Sequence, residues 1–333
     1  MKAIVNLCVV FFLLLTGCTL SPRNKAITLE GDYVGQICPG KEAKVFAPGF
    51  ISTGMYERDF AISPKGDEVY YSLFQGDWNT IMVTRRVNNV WQQPVVAEFA
   101  RDTTRFFAEA SFSADGERLY FLGAKAGWAE QDIWVVERQA NNSWGEPQKL
   151  PEIINEKEEF FPSLTRSGTL YFCRTDEKTR ISQILRSKLV DGEYQAPEVL
   201  PSPINARGTH FNACISPDDS YLIGCVVGRD SLNPRKSTYM LFLHNPDDTW
   251  SEGIDLIERM KLPSSNAISV SLSPDGRYFF FATTLKTISF KELEPTWDVS
   301  RIQERRLTHG NGNSDIYWVR IDEFVEKLKQ GNS

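Results

Sequence analysis

The sequence predicts an all-β protein built from five copies of one strand-rich unit, on the basis of three observations. The first is Asp115-Gly116, which separates two alternating apolar runs within residues 111–121. This is a strong β-hairpin signal, because glycine adopts a positive φ without steric cost. The second is that hairpins of this kind recur along the chain. The third is that a Trp-x-x-Pro-like segment follows most of them in phase.

The hairpins recur at a nearly constant period. The turn glycine or its equivalent stands at Gly66, Gly116, Gly168, Asp219 and Gly276, so the spacings are 50, 52, 51 and 57 residues. Periods of about 40–50 residues that contain only strand signals indicate the blades of a β-propeller. Five hairpins therefore predict a five-bladed β-propeller, with six blades as the alternative.

Each unit supplies four strands, A to D, from the channel outward. The hairpin gives strands A and B, and an apolar segment such as Asp132–Val135 gives strand C. A short outer strand D comes with the aromatic segment, since an outer strand has a free edge that tolerates proline. These segments are Trp91-Gln-Gln-Pro94, Trp144-Gly-Glu-Pro147, Tyr194-Gln-Ala-Pro197 and Trp250-Ser-Glu-Gly253.

The fifth unit has no strand D after Val319, and the N-terminal segment Ala43–Pro48 is the candidate to replace it. Pairing the two chain ends in one blade would close the ring and remove an open sheet edge. The propeller domain is thus predicted to span residues 43–333. Ile321, Phe324, Val325 and Leu328 have helical spacing and predict a short C-terminal helix.

Two insertions interrupt the period between strands B and C, at residues 228–238 and 287–313. Both should project from the same end of the propeller. Long loops on a rigid scaffold often carry function, and drifted surface decoration is the alternative.

The first 42 residues are predicted to lie outside the fold. Lys2 and the apolar run Ile4–Leu15 are typical of a signal peptide and too short to span a bilayer. Leu15-Thr16-Gly17-Cys18 resembles the lipobox of bacterial lipoproteins, which implies a signal peptide at residues 1–17, lipidation at Cys18 and a tether at residues 18–42. We expect a membrane-anchored envelope protein, most simply of the outer membrane, facing the periplasm or the surface. An ordinary secretory signal is the alternative.

The repeat units resemble the WD40-like or PD40 family. Its mark is Ser-Pro-Asp-Gly, then Leu-Tyr-Phe and later Asp-Ile-Tyr, and units two and five of this chain match it best. The resemblance covers about residues 43–321 and implies a TolB-like propeller of the kind that many envelope lipoproteins carry. A family of this kind specifies architecture far better than function.

Composition narrows the function classes. The chain has 333 residues and a formal charge of −6, so it lacks the basic surface that nucleic-acid binding requires. Six cysteines form no Cys-x-x-Cys pair or Cys/His cluster, and we expect neither a metal nor a cofactor. Cys214 and Cys225 lie in one predicted hairpin, and the sequence allows either a disulfide between them or two free thiols.

Candidate binding residues lie at the start of strand A. Positions nine and seven residues before each turn point to the same side of a strand, because side chains alternate. We expect them to ring one mouth of the channel, at the strand entry. Solvated strand starts are the alternative. The polar members are Glu57, Asp59, Glu109, Glu159, His210 and Asn212.

The expected function is binding or scaffolding, with a protein or a glycan as partner and a lipid anchor as the only membrane contact. Converging carboxylates can also perform acid/base chemistry, so a carbohydrate-active hydrolase or lyase is the alternative. No nucleophile elbow, phosphate loop or His-Glu-x-x-His motif occurs, which favours a non-enzyme. The sequence leaves the ligand and the oligomeric state undetermined.

Overall fold

Residues 29–206, 208–228, 235–287 and 297–331 are described by the computed structural model of this protein. They form five antiparallel sheets arranged in a ring, which confirms the predicted five-bladed β-propeller. Strand A of each blade contacts strand A of the next, and that of blade five contacts that of blade one. Strands A therefore line the central channel.

The blades share one strand order, A–B–C–D from the channel outward. Strands A are Glu57–Ile62, Arg105–Phe112, Glu158–Leu164, Thr209–Ile215 and Ser269–Leu272. Strands B are Glu68–Gln75, Arg118–Lys125, Leu170–Thr175, Tyr221–Val227 and Tyr278–Lys286. Strands C are Trp78–Val87, Ala129–Glu137, Ser182–Ser187, Ser237–Leu243 and Asn311–Arg320. Strands D are Val95–Val96, Gln148–Lys149, Glu198–Val199, Ile254–Asp255 and, in blade five, Lys44–Val45.

Blade five joins the two ends of the chain, as the sequence predicts. Lys44 and Val45 pair with Trp318 and Tyr317 of strand C. Phe46, the next residue, is fully buried, and its ring lies 4.9 Å from that of Phe60 in blade one. The N-terminal strand thus completes one sheet and also fills the interface to the next blade.

The aromatic segments lie just before the outer strands and extend strand C as a small hairpin. Val90–Trp91 pairs with the end of strand C in blade one, and Leu189–Val190 pairs with Glu193–Tyr194 in blade three. The indole Nε1 of Trp144 donates to the Tyr70 hydroxyl of the neighbouring blade at 2.7 Å. These side chains therefore tie adjacent blades together.

The A–B turns owe their shape to the serine that begins Ser-Pro-Asp-Gly. In blade five, Ser273 Oγ accepts from the Tyr278 N–H at 2.9 Å and donates to Asp275 at 2.6 Å. Ser113 and Asp115 repeat the arrangement in blade two. Asp219, which stands where the other turns have glycine, adopts the same left-handed conformation with φ 61°. The Ser-Pro-Asp-Gly motif therefore serves to form the A–B turn.

A β-bulge interrupts strand A in blades one to four at one shared position. In blade one, pairing passes from Arg58–Ser72 directly to Ala61–Tyr70, so two residues face one. The other three blades repeat this irregularity. The first bulge residue is always left-handed, with φ 55° at Asp59, 64° at Glu109, 55° at Phe161 and 48° at Asn212. A bulge redirects side chains, so simple alternation fails here.

Apolar side chains fill the spaces between blades rather than one central core. The predicted C-terminal helix is present as Asp322–Lys329, and its Val325 is buried against blades four and five. The other helices are Leu256–Met260, Val299–Arg306, a 3-10 turn at Glu98–Ala100 and a left-handed turn at Asp32–Gly35.

Several expectations fall wholly or partly outside the described residues. The signal peptide, Cys18 and the first part of the tether do so, as do residues 229–234 and 288–296 of the two insertions. No described helix has both the length and the hydropathy needed to cross a bilayer. Cys38, Cys173, Cys214 and Cys225 are free thiols, and Cys214 pairs across the hairpin with Ile223 rather than Cys225. The disulfide left open by the sequence is absent.

Candidate functional site: a channel cavity over buried charge

A cavity of ≈ 460 Å³ occupies the central channel and opens between the A–B turns. Its walls are mostly small or apolar, with Ala61, Ala110 and Val270 among them, and Pro64, Pro217 and Pro274 stand at its rim. Asp59 and Glu109, both at bulge positions, are the acidic residues deep in the channel. The site is therefore a pocket of mixed polarity, with Asp59 and Glu109 in its depth and the charged residues Arg166 and Asp275 also in its lining.

Asp59 and Glu109 share one guanidinium, that of Arg58. Arg58 Nε lies 2.8 Å from Asp59 Oδ1, and Arg58 Nη2 lies 3.6 Å from Glu109 Oε1. Strand alternation predicts that Arg58 turns away from the channel, and this expectation is wrong. The bulge at Asp59 breaks the alternation and lets adjacent residues meet.

The bulges also join neighbouring blades through their backbone N–H groups. The Asp59 N–H donates to Ser269 Oγ of blade five at 3.0 Å, and the Glu109 N–H donates to Ser72 Oγ of blade one at 3.0 Å. The Phe161 N–H of blade three donates to Glu109 Oε2 at 2.7 Å. Glu109 thus has a structural role, because both of its oxygens are engaged by groups of other blades.

Burial sets the charge state of Glu109. Removal from water, together with the nearby Asp59 carboxylate, raises the pKa of Glu109 to about 8, although Arg58 opposes the shift. Glu109 is only 6% exposed. The cluster therefore carries a proton near neutral pH that an exposed glutamate would have lost.

Two polar atoms beside this cluster lack hydrogen-bond partners within the described residues. They are Asp59 Oδ2 and Ser271 Oγ, and both residues line the cavity. Buried polar atoms are nearly always paired, by protein, water or ligand. These two acceptors therefore mark where donor groups of a bound molecule would be stabilised.

The other four predicted residues do not line this cavity, which corrects the expectation of one ring of six. Glu57 accepts from the Thr53 N–H at 3.1 Å, and burial raises its pKa to about 7. Glu159 bonds Arg174 Nε at 2.5 Å, and burial raises its pKa despite that arginine. Asn212 Nδ2 donates to the Ile268 carbonyl at 2.6 Å. His210 is buried in strand A opposite Val226.

The position of the cavity also corrects the predicted mouth. The sequence places the site at the strand entry, whereas Asp59 and Glu109 line a cavity that opens at the A–B turns. The alternative of solvated strand starts is wrong as well, since all six residues are buried. Residues at equal distances before their turns do lie at equal depths in the channel. Neighbouring strands and bulges nevertheless decide which groups each side chain contacts.

The sequence suggests Arg58 as a possible partner of Asp59 but turns it away by alternation; in the structure it binds Asp59 from just outside the cavity lining. The sequence indicates the true position of Arg58 only indirectly. Asp59 and Asn212 stand at the same distance before their turns, and both residue types tolerate positive φ. Such a repeat could have suggested a bulge, and a bulge would have turned Arg58 toward the carboxylates.

Comparison with known proteins concerns the fold. No family model matches the chain, and no curated protein matches it in sequence. TolB from Acinetobacter baumannii is similar in structure, with 13% identity over 80% of this chain and a TM-score of 0.46. This chain spans 57% of that protein.

Two carbohydrate-active proteins are also similar in structure. A glycoside hydrolase has a TM-score of 0.50 and 11% identity, with 84% of this chain and 91% of that chain covered. An alpha-L-arabinofuranosidase from Podospora anserina has a TM-score of 0.48 and 12% identity, with 80% and 91% covered. At such identities the likeness extends to the propeller architecture alone.

Proposed function

We propose that this protein is a cell-envelope lipoprotein whose propeller binds a protein or glycan ligand in the channel cavity. The observation that carries the proposal is the pair of polar atoms in the cavity wall, Asp59 Oδ2 and Ser271 Oγ, that have no hydrogen-bond partner among the described residues. A cavity of ≈ 460 Å³ has the size of a small-ligand or side-chain pocket. A ligand with hydroxyl, amide or ammonium donors would pair both atoms and displace water from apolar surface.

The position of the charge supports binding at this place. Arg58 is bound to both carboxylates, so it holds their side chains in one geometry before a ligand arrives. A prearranged acceptor loses little conformational entropy on binding. The lipid anchor follows from Leu15-Thr16-Gly17-Cys18 and would keep the propeller at a membrane surface, joined by the tether.

The binding proposal is tested with full-length protein in a sugar-free detergent, applied to arrays of oligosaccharides and of synthetic peptides. We expect at least one probe to bind the wild type and to be lost with Asp59→Asn, which keeps the shape of the side chain. Glu252→Gln changes an exposed carboxylate in blade four and is the matched control. Equal binding by Asp59→Asn and wild type would remove the cavity from consideration.

The anchoring proposal has a separate test. Cys18→Ala should leave the precursor unprocessed or release the protein from the membrane fraction. A Cys18→Ala protein that has lost its signal peptide and still partitions with membranes like the wild type would contradict lipidation.

A second candidate, carbohydrate hydrolysis or lysis, is favoured by one observation. Glu109 holds a proton near neutral pH beside a second carboxylate, which is the pairing that a general acid and its partner require. Incubation of the wild type and Glu109→Gln with the oligosaccharides that bind would decide. New reducing ends or unsaturated products with the wild type alone would establish an enzyme, and their absence would leave a binding module.

A further inference from the structure

A second concave surface lies at the opposite mouth of the propeller, where strands A begin and strands B turn into strands C. This cleft has a volume of ≈ 570 Å³. Its lining includes Tyr56, Arg58, Phe74, Asn79 and Trp128. Arg58 separates the cleft from the channel cavity, because its guanidinium also binds Asp59 and Glu109 on the other side.

Aromatic rings form one wall of the cleft. The rings of Phe74 and Trp128 stack with centroids 5.5 Å apart and planes 19° apart. The ring centroids of Tyr56 and Phe74 lie 6.0 Å apart, and Arg58 Cζ lies 5.0 Å from the centroid of the Phe74 ring. Trp128 remains partly exposed. The wall is thus a rigid aromatic platform that is not closed over by the fold.

Trp128 occupies a backbone position that does not suit tryptophan. It has φ 65° and follows Gly127 with φ 78°, in the turn between strands B and C of blade two. Glycine is favoured in such a turn because it has no Cβ to strain the left-handed conformation, and asparagine because its short polar side chain can hydrogen-bond locally. Turn formation therefore does not explain the indole ring, which packs on Phe74 and, edge to face at 5.4 Å, on Phe106, and which also lines the cleft.

Asn79 supplies a polar atom without a partner at the cleft. It is 97% buried, since only 3% of its surface is exposed. Its side-chain oxygen has no hydrogen-bond partner among the described residues. An acceptor in this state is stabilised by an incoming donor. The aromatic platform and this acceptor are two independent features of one surface.

We propose that this cleft is a glycan-binding site, in which a sugar ring stacks on the Trp128 platform and a hydroxyl donates to Asn79. Pyranose rings present an apolar face of C–H groups and an equatorial rim of hydroxyls. Aromatic surface with a few placed polar groups matches both parts. The described lining contains no carboxylate that could bind a cation, and the carboxyl groups of Asp59 and Glu109 are already bound to Arg58. A cationic ligand is therefore not favoured. This site is separate from the channel cavity and goes beyond the function proposed for it.

The test is calorimetric titration of full-length protein, in a sugar-free detergent, with cellotetraose, chitotetraose and maltotetraose. Decaproline serves as the peptide probe. We expect saturable binding of at least one oligosaccharide. Trp128→Asn, which suits the left-handed turn, should weaken it by about tenfold or more, because ring stacking is lost. Trp128→Tyr should retain most of the affinity.

Trp297→Ala is the control, because Trp297 is a partly buried tryptophan outside the cleft lining, stacked with Arg301 and Arg305. It should leave the affinity unchanged. The inference is overturned if no oligosaccharide binds, if Trp128→Asn binds like the wild type, or if only decaproline binds. It is also overturned if Ser271→Ala abolishes the same sugar binding. Ser271 lines the channel cavity and not the cleft, and its Oγ bonds no described residue, so that outcome would instead place the sugar in the cavity and support the function proposed there.

Discussion

Blades one and two carry Asp59 and Glu109 at the bulge in strand A, whereas blades three and four carry Phe161 and Asn212 at the same backbone position. The left-handed conformation is shared, but the chemistry is not. In blades three and four the bulge side chains are apolar or bonded to the next blade, as Asn212 is to the Ile268 carbonyl. In blades one and two they form an ionic cluster that keeps one acceptor unpartnered.

This difference separates the role of the fold from that of the site. The bulge recurs because it lets strand A bond an adjacent blade, through a backbone N–H in blades one to three and through the Asn212 side chain in blade four. The carboxylates do not recur, and they require a cation of their own, Arg58. We therefore expect substitutions in blades one and two to have electrostatic consequences, and substitutions in blade four to have only backbone and hydrogen-bond consequences.

The largest effect is expected from Arg58→Met. It removes the cation that lies between Asp59 and the protonated Glu109 and leaves the buried Asp59 charge uncompensated, which typically costs about 3–5 kcal/mol of unfolding free energy. Urea denaturation of the full-length protein measures it. Arg118→Met is the control, since Arg118 forms an exposed pair with Glu137 and should cost less than about 1 kcal/mol. A similar loss in both variants would contradict a special role for the cluster.

The next effect is a change in pH dependence with Glu109→Gln. The pKa of Glu109 is raised to about 8 from the ordinary 4.5, so between these values the folded chain holds a proton that the unfolded chain has released. Stability from this group is complete below about pH 4.5 and is lost as pH rises through about 8. Each unit of pKa shift corresponds to about 1.4 kcal/mol.

Glu109→Gln should therefore lose less stability than the wild type between pH 5 and pH 9 (roughly the window set by those pKa values). Glu57, whose pKa is raised to about 7, contributes in the same direction and remains in the variant, so the slope should shrink rather than vanish. Thermal unfolding across pH measures this. Glu137→Gln changes an exposed carboxylate and should follow the wild type; parallel curves for Glu109→Gln would refute the buried proton.

The smallest effect compares alanine and glycine at the bulge of blade four. Both Asn212→Ala and Asn212→Gly lose the bond to Ile268, but alanine is also strained at φ 48°. We expect Asn212→Ala to be less stable than Asn212→Gly by about 1 kcal/mol. Ser269 holds the equivalent place in blade five without a positive φ. At this position we expect the reverse order, with Ser269→Ala more stable than Ser269→Gly.

The sequence by itself determined the blades, their strand order and the closure of the ring. Those features depend on local chemistry that repeats: a serine, or Thr165 in blade three, that holds each A–B turn, a glycine or Asp219 that accepts positive φ, and alternating apolar runs. The closing strand at Lys44–Val45 followed from counting, because one blade lacked an outer strand. The short C-terminal helix followed from the spacing of its apolar residues.

The tertiary structure alone decided which polar residues meet. Asn212 shares the offset of Asp59 and Glu109, and Glu57 and Glu159 stand two residues earlier on the same predicted side. Each of these three is engaged by a different neighbour, and only Asp59 and Glu109 reach the cavity. The bulge, which alternation does not reveal, brought Arg58 to the carboxylates. Contacts between residues of different blades depend on the angle and stagger of whole sheets. The pattern within one strand records which side a residue faces where the strand is regular, but not where a bulge interrupts it, and never what the residue faces there.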